Sequence, residues 1–482
     1  GARLVHDRAG KPIPESRADA DPYPFLVRAN FTQSVSHYDA DNKDTYQQRY
    51  WYNPTYSKNK NVVFLLIEGE SEATDRWVGY GGYQWLKLAD IHGADAFQLE
   101  HRCFGHSRPY NDLSPSTLKY CTMEEALEDI SSFIQGMNTL YNFTSPKWVT
   151  FGGSYPGILG ATFRSLHPEL TVGAVASSAP LSLTFDMWEY AWSMEETFRT
   201  IDGCAEAIQD SFSHVQQLTL TTDGRKSLNN KLHLNPPFAD DTPQIEFDNF
   251  FENLFAVFQD VVQYTGDGRN DATKNGKGVT NLCKLMQTND DAIDKLWNVI
   301  VWSNGYDNPN EIIQSFPNSY DNFIKDLQNV NFDDNVDGLP SASNRGWLWL
   351  QCSQMGVQQS TDQGRNIFGQ IIPIKFVFHY HCLEGFGADF MSAQNQYDGT
   401  DAFRKKYGNG KFKATNIVLP NGSFDPWHKL GFYTDDEASN LVTILIDGTA
   451  HCADMYEEYD GEPKDLARAR GIIYDNVAKW LA

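Results

Sequence analysis

Residues 151–157 read Phe-Gly-Gly-Ser-Tyr-Pro-Gly, directly behind the apolar run Trp148-Val149-Thr150 and ahead of a helix-like stretch from Ile158 to Leu166. A strand that passes into a helix across a single residue needs small neighbours, because the turn is tight. Gly152 lets the backbone through where a Cβ would clash. Pro156 falls in the first helical turn, where its missing N–H would have had no partner. The amides of the new helix then point toward any anion that forms beside Ser154. The segment departs from the Gly-x-Ser-x-Gly pattern of an exposed serine nucleophile at one position, Pro156. Alone, it is as compatible with an ordinary glycine-rich strand–helix turn.

The surrounding pattern places that turn in a sheet. Strands are predicted at Gln48–Asn53, Val62–Ile67, Ala96–Glu100, Lys147–Phe151 and Val172–Ser177, with helices at Tyr83–His92 and Met123–Leu140. Thr122, with Glu125 three residues on, is a capping box for the latter helix. Such alternation argues for a mostly parallel sheet with helices on both faces. From about 185 to 395 strand signals nearly vanish. Amphipathic helices are expected there at Trp188–Arg199, Gly203–Leu218, Ile245–Tyr264 and Asp290–Trp302, separated by polar loops such as 265–277 and 331–340. Strand patterns return at Ile417–Leu419 and Leu441–Ile446, and Lys464–Leu481 closes the chain as a helix. The division expected is therefore a sheet domain in two parts, 1–184 and 396–482, with a helical cap, 185–395, inserted between them. Residues 1–24, with four prolines, suggest an extended arm.

With 482 residues and 41% hydrophobic content the chain is long enough for such a core plus insertion. Its 63 acidic against 39 basic residues give a formal charge of −24. That surface argues against nucleic acid or anionic membrane as partners, and no apolar run approaches 18 residues. The chain starts at Gly1 without a signal-like apolar segment and reads as a mature form. Seven cysteines contain no Cys-x-x-Cys pair, and the odd count allows three disulfides and one free thiol. Sequons stand at Asn30, Asn142 and Asn421; Asn30 and Asn142 are the expected glycan acceptors. These features together favour the secretory pathway.

A serine nucleophile needs a base and an acid that orients it. On a parallel sheet the chain order Ser, Asp, His places each at a strand end. The loop after Ile417–Leu419 is Asn-Gly-Ser-Phe-Asp-Pro-Trp, which carries Asp425; the loop after Leu441–Ile446 is Asp-Gly-Thr-Ala-His-Cys-Ala-Asp, which carries His451. The spacings, 425 − 154 = 271 and 451 − 425 = 26, leave room for the insertion and then for one helix and one strand.

The stretches Gly-Gly-Ser-Tyr-Pro-Gly (152–157), Gly-Ala-Val-Ala-Ser-Ser-Ala-Pro (173–180), Leu-Glu-His-Arg-Cys-Phe-Gly-His-Ser-Arg-Pro (99–109), Asn-Gly-Ser-Phe-Asp-Pro-Trp (421–427) and Ala-His-Cys-Ala-Asp-Met (450–455) are collinear. In this the chain resembles the prolyl carboxypeptidase family of serine peptidases, which includes dipeptidyl peptidase II, thymus-specific serine peptidase and acid prolyl endopeptidases. Pro156 is closest to the thymus-specific branch. The resemblance implies an α/β-hydrolase fold with a helical cap between Ser154 and Asp425. It implies Ser154 as nucleophile, Asp425 as orienting acid and His451 as base. It also implies cleavage after proline or small residues, commonly at acid pH in lysosomes, vacuoles or outside the cell. The Tyr155 amide would be one oxyanion donor and the turn around Gly69 and Glu70 the second, although Ile-Glu-Gly-Glu stands where relatives usually have Ile-Gly-Gly-Glu. Trp427 would offer an aromatic face to a proline ring or support its loop.

Cys103 and Cys121 stand where relatives usually have an aromatic and an aliphatic residue, which suggests an additional disulfide. The family pattern pairs Cys204 with Cys283 and Cys352 with Cys382, leaving Cys452 free beside His451. Gln354 replaces a glutamate of the family stretch. If that glutamate reads a substrate terminus, its loss favours endopeptidase over exopeptidase action. His379 and His381, two apart in the loop of the expected Cys352–Cys382 disulfide, are expected to be structural, and neither a metal nor another cofactor is called for. The acidic stretch 267–278 lacks the terminal glutamate of a calcium loop and is expected to be a solvated loop. The leading expectation is a serine peptidase acting on proline-containing peptides, as monomer or homodimer. The alternatives are an esterase or lipase on the same fold, and an inactive binding protein.

Overall fold

The computed structural model describes residues 20–266, 276–332, 341–407 and 412–482. Most of the 1–24 arm, much of the 265–277 and 331–340 loops and most of the 267–278 acidic stretch lie outside them. The strands, in chain order, are β1 (Val27–Ser34), β2 (Thr45–Asn53), β3 (Val62–Ile67), β4 (Asp95–Leu99), β5 (Lys147–Gly153), β6 (Gly173–Ser177), β7 (Leu234–Asn235), β8 (Phe316–Pro317), β9 (Ile417–Gly422) and β10 (Leu441–Ile446). Eight form one sheet in the order β1-β2-β4-β3-β5-β6-β9-β10, while β7 and β8 pair only with each other. The β1–β2 and β2–β4 pairs are antiparallel, and β4, β3, β5, β6, β9 and β10 run parallel to one another.

Strand β3 shows why the sheet must be covered on both faces. All six of its residues are buried, as expected for a strand flanked by helices above and below. Val63, Leu65 and Ile67 enter one core, and Val62, Phe64 and Leu66 enter the other. The Met123–Leu140 and Tyr155–Leu166 helices cover the first face. The Gln84–His92 and Asp465–Leu481 helices cover the second. The Thr122 hydroxyl accepts the Glu125 amide at 3.2 Å, so the predicted cap forms.

Between β6 and β9 the chain is mainly helical. Helices Glu189–Phe198, Cys204–Leu218, Gln244–Gln263 and Ala292–Asp307 match the predicted ones to within a few residues, apart from the last, which runs five residues further. Their buried side chains are continuous with the first core. The Ala393–Tyr407 helix packs on the wide π-helical turn Gln351–Met355, so residue 395 falls inside a helix of this layer. Three disulfides are present: Cys103–Cys121, Cys204–Cys283 and Cys352–Cys382. Cys452 is free and buried.

Candidate active site

The C-terminal ends of β5, β9 and β10 bring Ser154, Asp425 and His451 to one edge of the sheet, the edge where open parallel sheets carry their ligands. Ser154 is the single residue between β5 and its helix, at φ 65° and ψ −130°. Its amide donates to the Ser177 carbonyl at 2.9 Å, tying the turn to the end of β6. A Cβ on Gly152 would lie 2.5 Å from the Pro156 carbonyl oxygen. One on Gly153 would lie 2.5 Å from Met455 Sδ and 2.7 Å from Cys452 Sγ. Gly152 thus permits the turn, and Gly153 makes room for the loop that carries His451. Ser154 itself remains half-buried, within reach of solvent.

Asp425 and His451 are buried, and His451 Nδ1 lies 2.7 Å from Asp425 Oδ2. The other carboxylate oxygen accepts the Trp427 amide at 3.0 Å. Burial works against the imidazolium, but the Asp425 carboxylate outweighs it, and the His451 pKa is held well above the ordinary histidine value.

The helical layer reaches this pair through the end of the Gln244–Gln263 helix. The Gln263 carbonyl accepts the His451 amide at 2.9 Å. The Gln263 side-chain oxygen accepts both Tyr190 Oη, at 2.6 Å, and Trp427 Nε1, at 3.1 Å. Trp427 meets the Tyr190 ring edge-on, with centroids 5.6 Å apart, and Tyr264 meets the His451 ring edge-on at 6.2 Å. Gln263, Tyr190 and Tyr264 carry no local motif, and only the folded chain brings them here.

Tyr155 opens the helix, and its side chain is buried with Oη 2.8 Å from His101 Nε2. Burial first, and then the Glu70 and Glu124 carboxylates, push the phenol pKa well above its ordinary value. Gly69 lies against the same turn: a Cβ there would meet Pro156 Cγ at 2.6 Å and the Tyr155 ring at 3.2 Å. The predicted second donor region is therefore adjacent to the first, and Glu70 is buried beside it.

Three further expectations meet the structure here. Gln354 accepts the Met123 amide at 2.9 Å and donates to Glu124 at 2.5 Å, so its side chain is engaged at a helix start. His381 is buried among Phe323, Phe376 and Tyr320. Asn30 and Asn142 are exposed, whereas Asn421 is buried in β9, which explains why a sequon there cannot serve as an acceptor.

A parallel sheet carrying a serine elbow, with a histidine and an aspartate on later strand ends, defines an α/β-hydrolase. Residues 33–473 match the model of the serine carboxypeptidase S28 family, and the chain belongs to that family. It is a serine-type peptidase, and its substrates are peptides. A predicted serine protease of Caenorhabditis elegans is 43% identical over 463 residues, covering 95% of this chain and 85% of that protein. The mouse thymus-specific serine protease is 28% identical, covering 93% and 86%. The human lysosomal Pro-X carboxypeptidase is 24% identical, covering 94% and 87%.

Proposed function

We propose that Ser154, His451 and Asp425 form the catalytic triad and that the enzyme cleaves peptide bonds after proline or small residues. The buried 2.7 Å contact between His451 and Asp425, beside the Ser154 elbow, carries this reading. A carboxylate only accepts, so Nδ1 holds the proton and Nε2 keeps its lone pair for the Ser154 hydroxyl. Ser154 Oγ attacks the peptide carbonyl as His451 takes its proton. The imidazolium, stabilised by Asp425, then returns that proton to the leaving amine, and water releases the acyl group by the same route. The Tyr155 amide, with the turn at Gly69 and Glu70, receives the oxyanion. Trp427, held by Gln263 and Tyr190, presents an aromatic face for the proline ring. The resemblance to a family with Pro-X members supports that choice, and the helical layer from about 185 to 395 acts as the cap over the site.

A fluorophosphonate probe tests the triad: it labels the wild-type enzyme and leaves Ser154→Ala unlabelled. Equal labelling of the two would exclude Ser154 as nucleophile, and no labelling of either would favour the inactive binding protein. Endopeptidase action is favoured by Gln354, whose neutral side chain is committed to Met123 and Glu124. Proline-containing peptides blocked at both ends are then cleaved; strict dependence on a free end would reverse the assignment. Three disulfides and exposed Asn30 and Asn142 support a secreted or lysosomal glycoprotein. Among the described residues no helix is long and apolar enough to cross a membrane.

A further inference from the structure

Three residues beyond His451, the Asp454 carboxylate is buried with one Oδ2 2.5 Å from the Ser177 hydroxyl. The crevice around it is otherwise mostly apolar, lined by Trp85, Leu88, Phe151, Val175, Met455 and Ile473. A carboxyl group is expensive in such a place, and the Ser177 hydroxyl gives it a polar partner. Ser177 is also the residue whose carbonyl receives the Ser154 amide. The next residue, Ser178, accepts the Cys452 amide on its hydroxyl at 2.9 Å. Two adjacent serines at the end of β6 therefore fasten the nucleophile turn and the histidine loop to the same point. Ser178 and Cys452, joined by that bond, both have left-handed backbones, φ 47° and φ 59°. Non-glycine residues hold such conformations only where the surroundings fix them.

We propose that Asp454 is a positioning residue: its bond to Ser177 seats the His451 loop against the Ser154 elbow, and the burial of its carboxylate makes the folded chain more stable in acid than at neutral pH. The proposal rests on the triad assigned above, whose positioning it describes. Burial raises the carboxyl pKa to about 6, against the opposing pull of the Ser177 hydrogen bond. The groups that bear on it come from each neighbouring element. Arg470, itself paired with Glu462, is on the Asp465–Leu481 helix. His451 and Cys452 are on its own loop. The Gln84–His92 helix presents the neutral amide of Gln84, and β5 and β6 line the crevice with no ionisable side chain. A carboxyl whose pKa is raised by folding stabilises the native state fully below its unfolded value. That contribution is lost as pH rises through the folded value. The loss therefore falls between about pH 4 and about pH 6.

The test uses the full chain. Thermal unfolding of wild type and Asp454→Asn is compared between pH 4 and pH 7. Asparagine keeps an acceptor for Ser177 but cannot ionise, so its unfolding midpoint falls less with rising pH than that of the wild type. Ser177→Ala removes a hydrogen bond to the ionised form and moves the wild-type loss to higher pH. On a cleavable peptide, Asp454→Ala lowers kcat by roughly 10- to 100-fold, as expected when a reacting group is misplaced by about an ångström. KM changes little, and Asp454→Asn recovers most of the loss. A pH–stability curve for Asp454→Asn parallel to wild type, or an unchanged kcat in Asp454→Ala, would overturn the proposal. If Ser154→Ala cleaves normally while the pH–stability difference persists, the triad assignment fails and the Asp454–Ser177 seat stands.

Discussion

At Ser154 the backbone is held at φ 65°, a region that residues with a Cβ rarely occupy. The conformation persists because the turn is anchored on both sides: its amide bonds to Ser177, and Gly153 leaves room for Cys452 and Met455. At the same scale, the charge on His451 sets a sign that can be measured. The base must be neutral to accept the serine proton, and Asp425 raises its pKa above the ordinary value. The kcat/KM profile on a peptide substrate should therefore rise with pH through a pKa above the usual histidine range. A profile already at its plateau at pH 5 would contradict that assignment. The acid optimum implied by the family resemblance finds no support at His451. Stability runs the other way. Protonated His451 contributes fully below the ordinary histidine pKa, and the contribution is lost as pH rises through the raised one. Ser154, Asp425 and His451 were legible in the sequence because each follows an apolar run at a strand end. Asp454 was not, because a lone aspartate reveals its burial only after the chain has folded.

Among the elements, the Gln244–Gln263 helix couples the helical layer to the sheet. Its last residue serves four partners: the His451 amide through the carbonyl, Tyr190 and Trp427 through the side-chain oxygen, and the Tyr264 hydroxyl through the side-chain amide. Gln263→Leu keeps the carbonyl but leaves the Tyr190 hydroxyl and the Trp427 N–H without that acceptor. A buried donor left unpaired costs about 1–3 kcal/mol. The variant should unfold at lower temperature and raise KM for a proline-containing peptide more than it lowers kcat, since Trp427 is assigned to binding. Equal kcat and KM with an unchanged midpoint would show that Trp427 needs no such support. Element prediction succeeded where an unbroken apolar run or a capped helical period marked the segment. Strands β3 and β10 match to the residue, as does the Met123–Leu140 helix with its Thr122 cap. Strand β1 lies at one edge of the sheet and was not among the predicted strands. Only Gln33 of its eight residues is buried, and the alternation of Val27, Ala29 and Phe31 with Arg28, Asn30 and Thr32 is short and includes a small alanine. The π-helical turns at 351–355 and 375–380 also left no signal in the residue pattern.

Over the whole molecule, the disulfides staple regions that the sheet does not reach. Cys204–Cys283 closes 79 residues and Cys103–Cys121 closes 18. In the chain-entropy model the longer closure is worth about 4.5 kcal/mol and the shorter about 3 kcal/mol. Replacing Cys204 and Cys283 together by serine should lower the unfolding midpoint more than replacing Cys103 and Cys121; the reverse order would place the weaker constraint in the helical layer. The broad plan of a parallel sheet interrupted by helices could be read from the sequence, since strand and helix periods differ. How the layer touches the catalytic loops could not, because those contacts join Gln263 to residues 164 and 188 positions later (427 − 263 and 451 − 263). That connection gives the enzyme an order of birth. Ser154 leaves the ribosome 451 − 154 = 297 residues ahead of His451, and the Gln244–Gln263 helix, whose last carbonyl receives the His451 amide, is synthesised before that histidine emerges. On the proposed triad, a nascent chain, or one cut before residue 451, therefore carries Ser154 without its base.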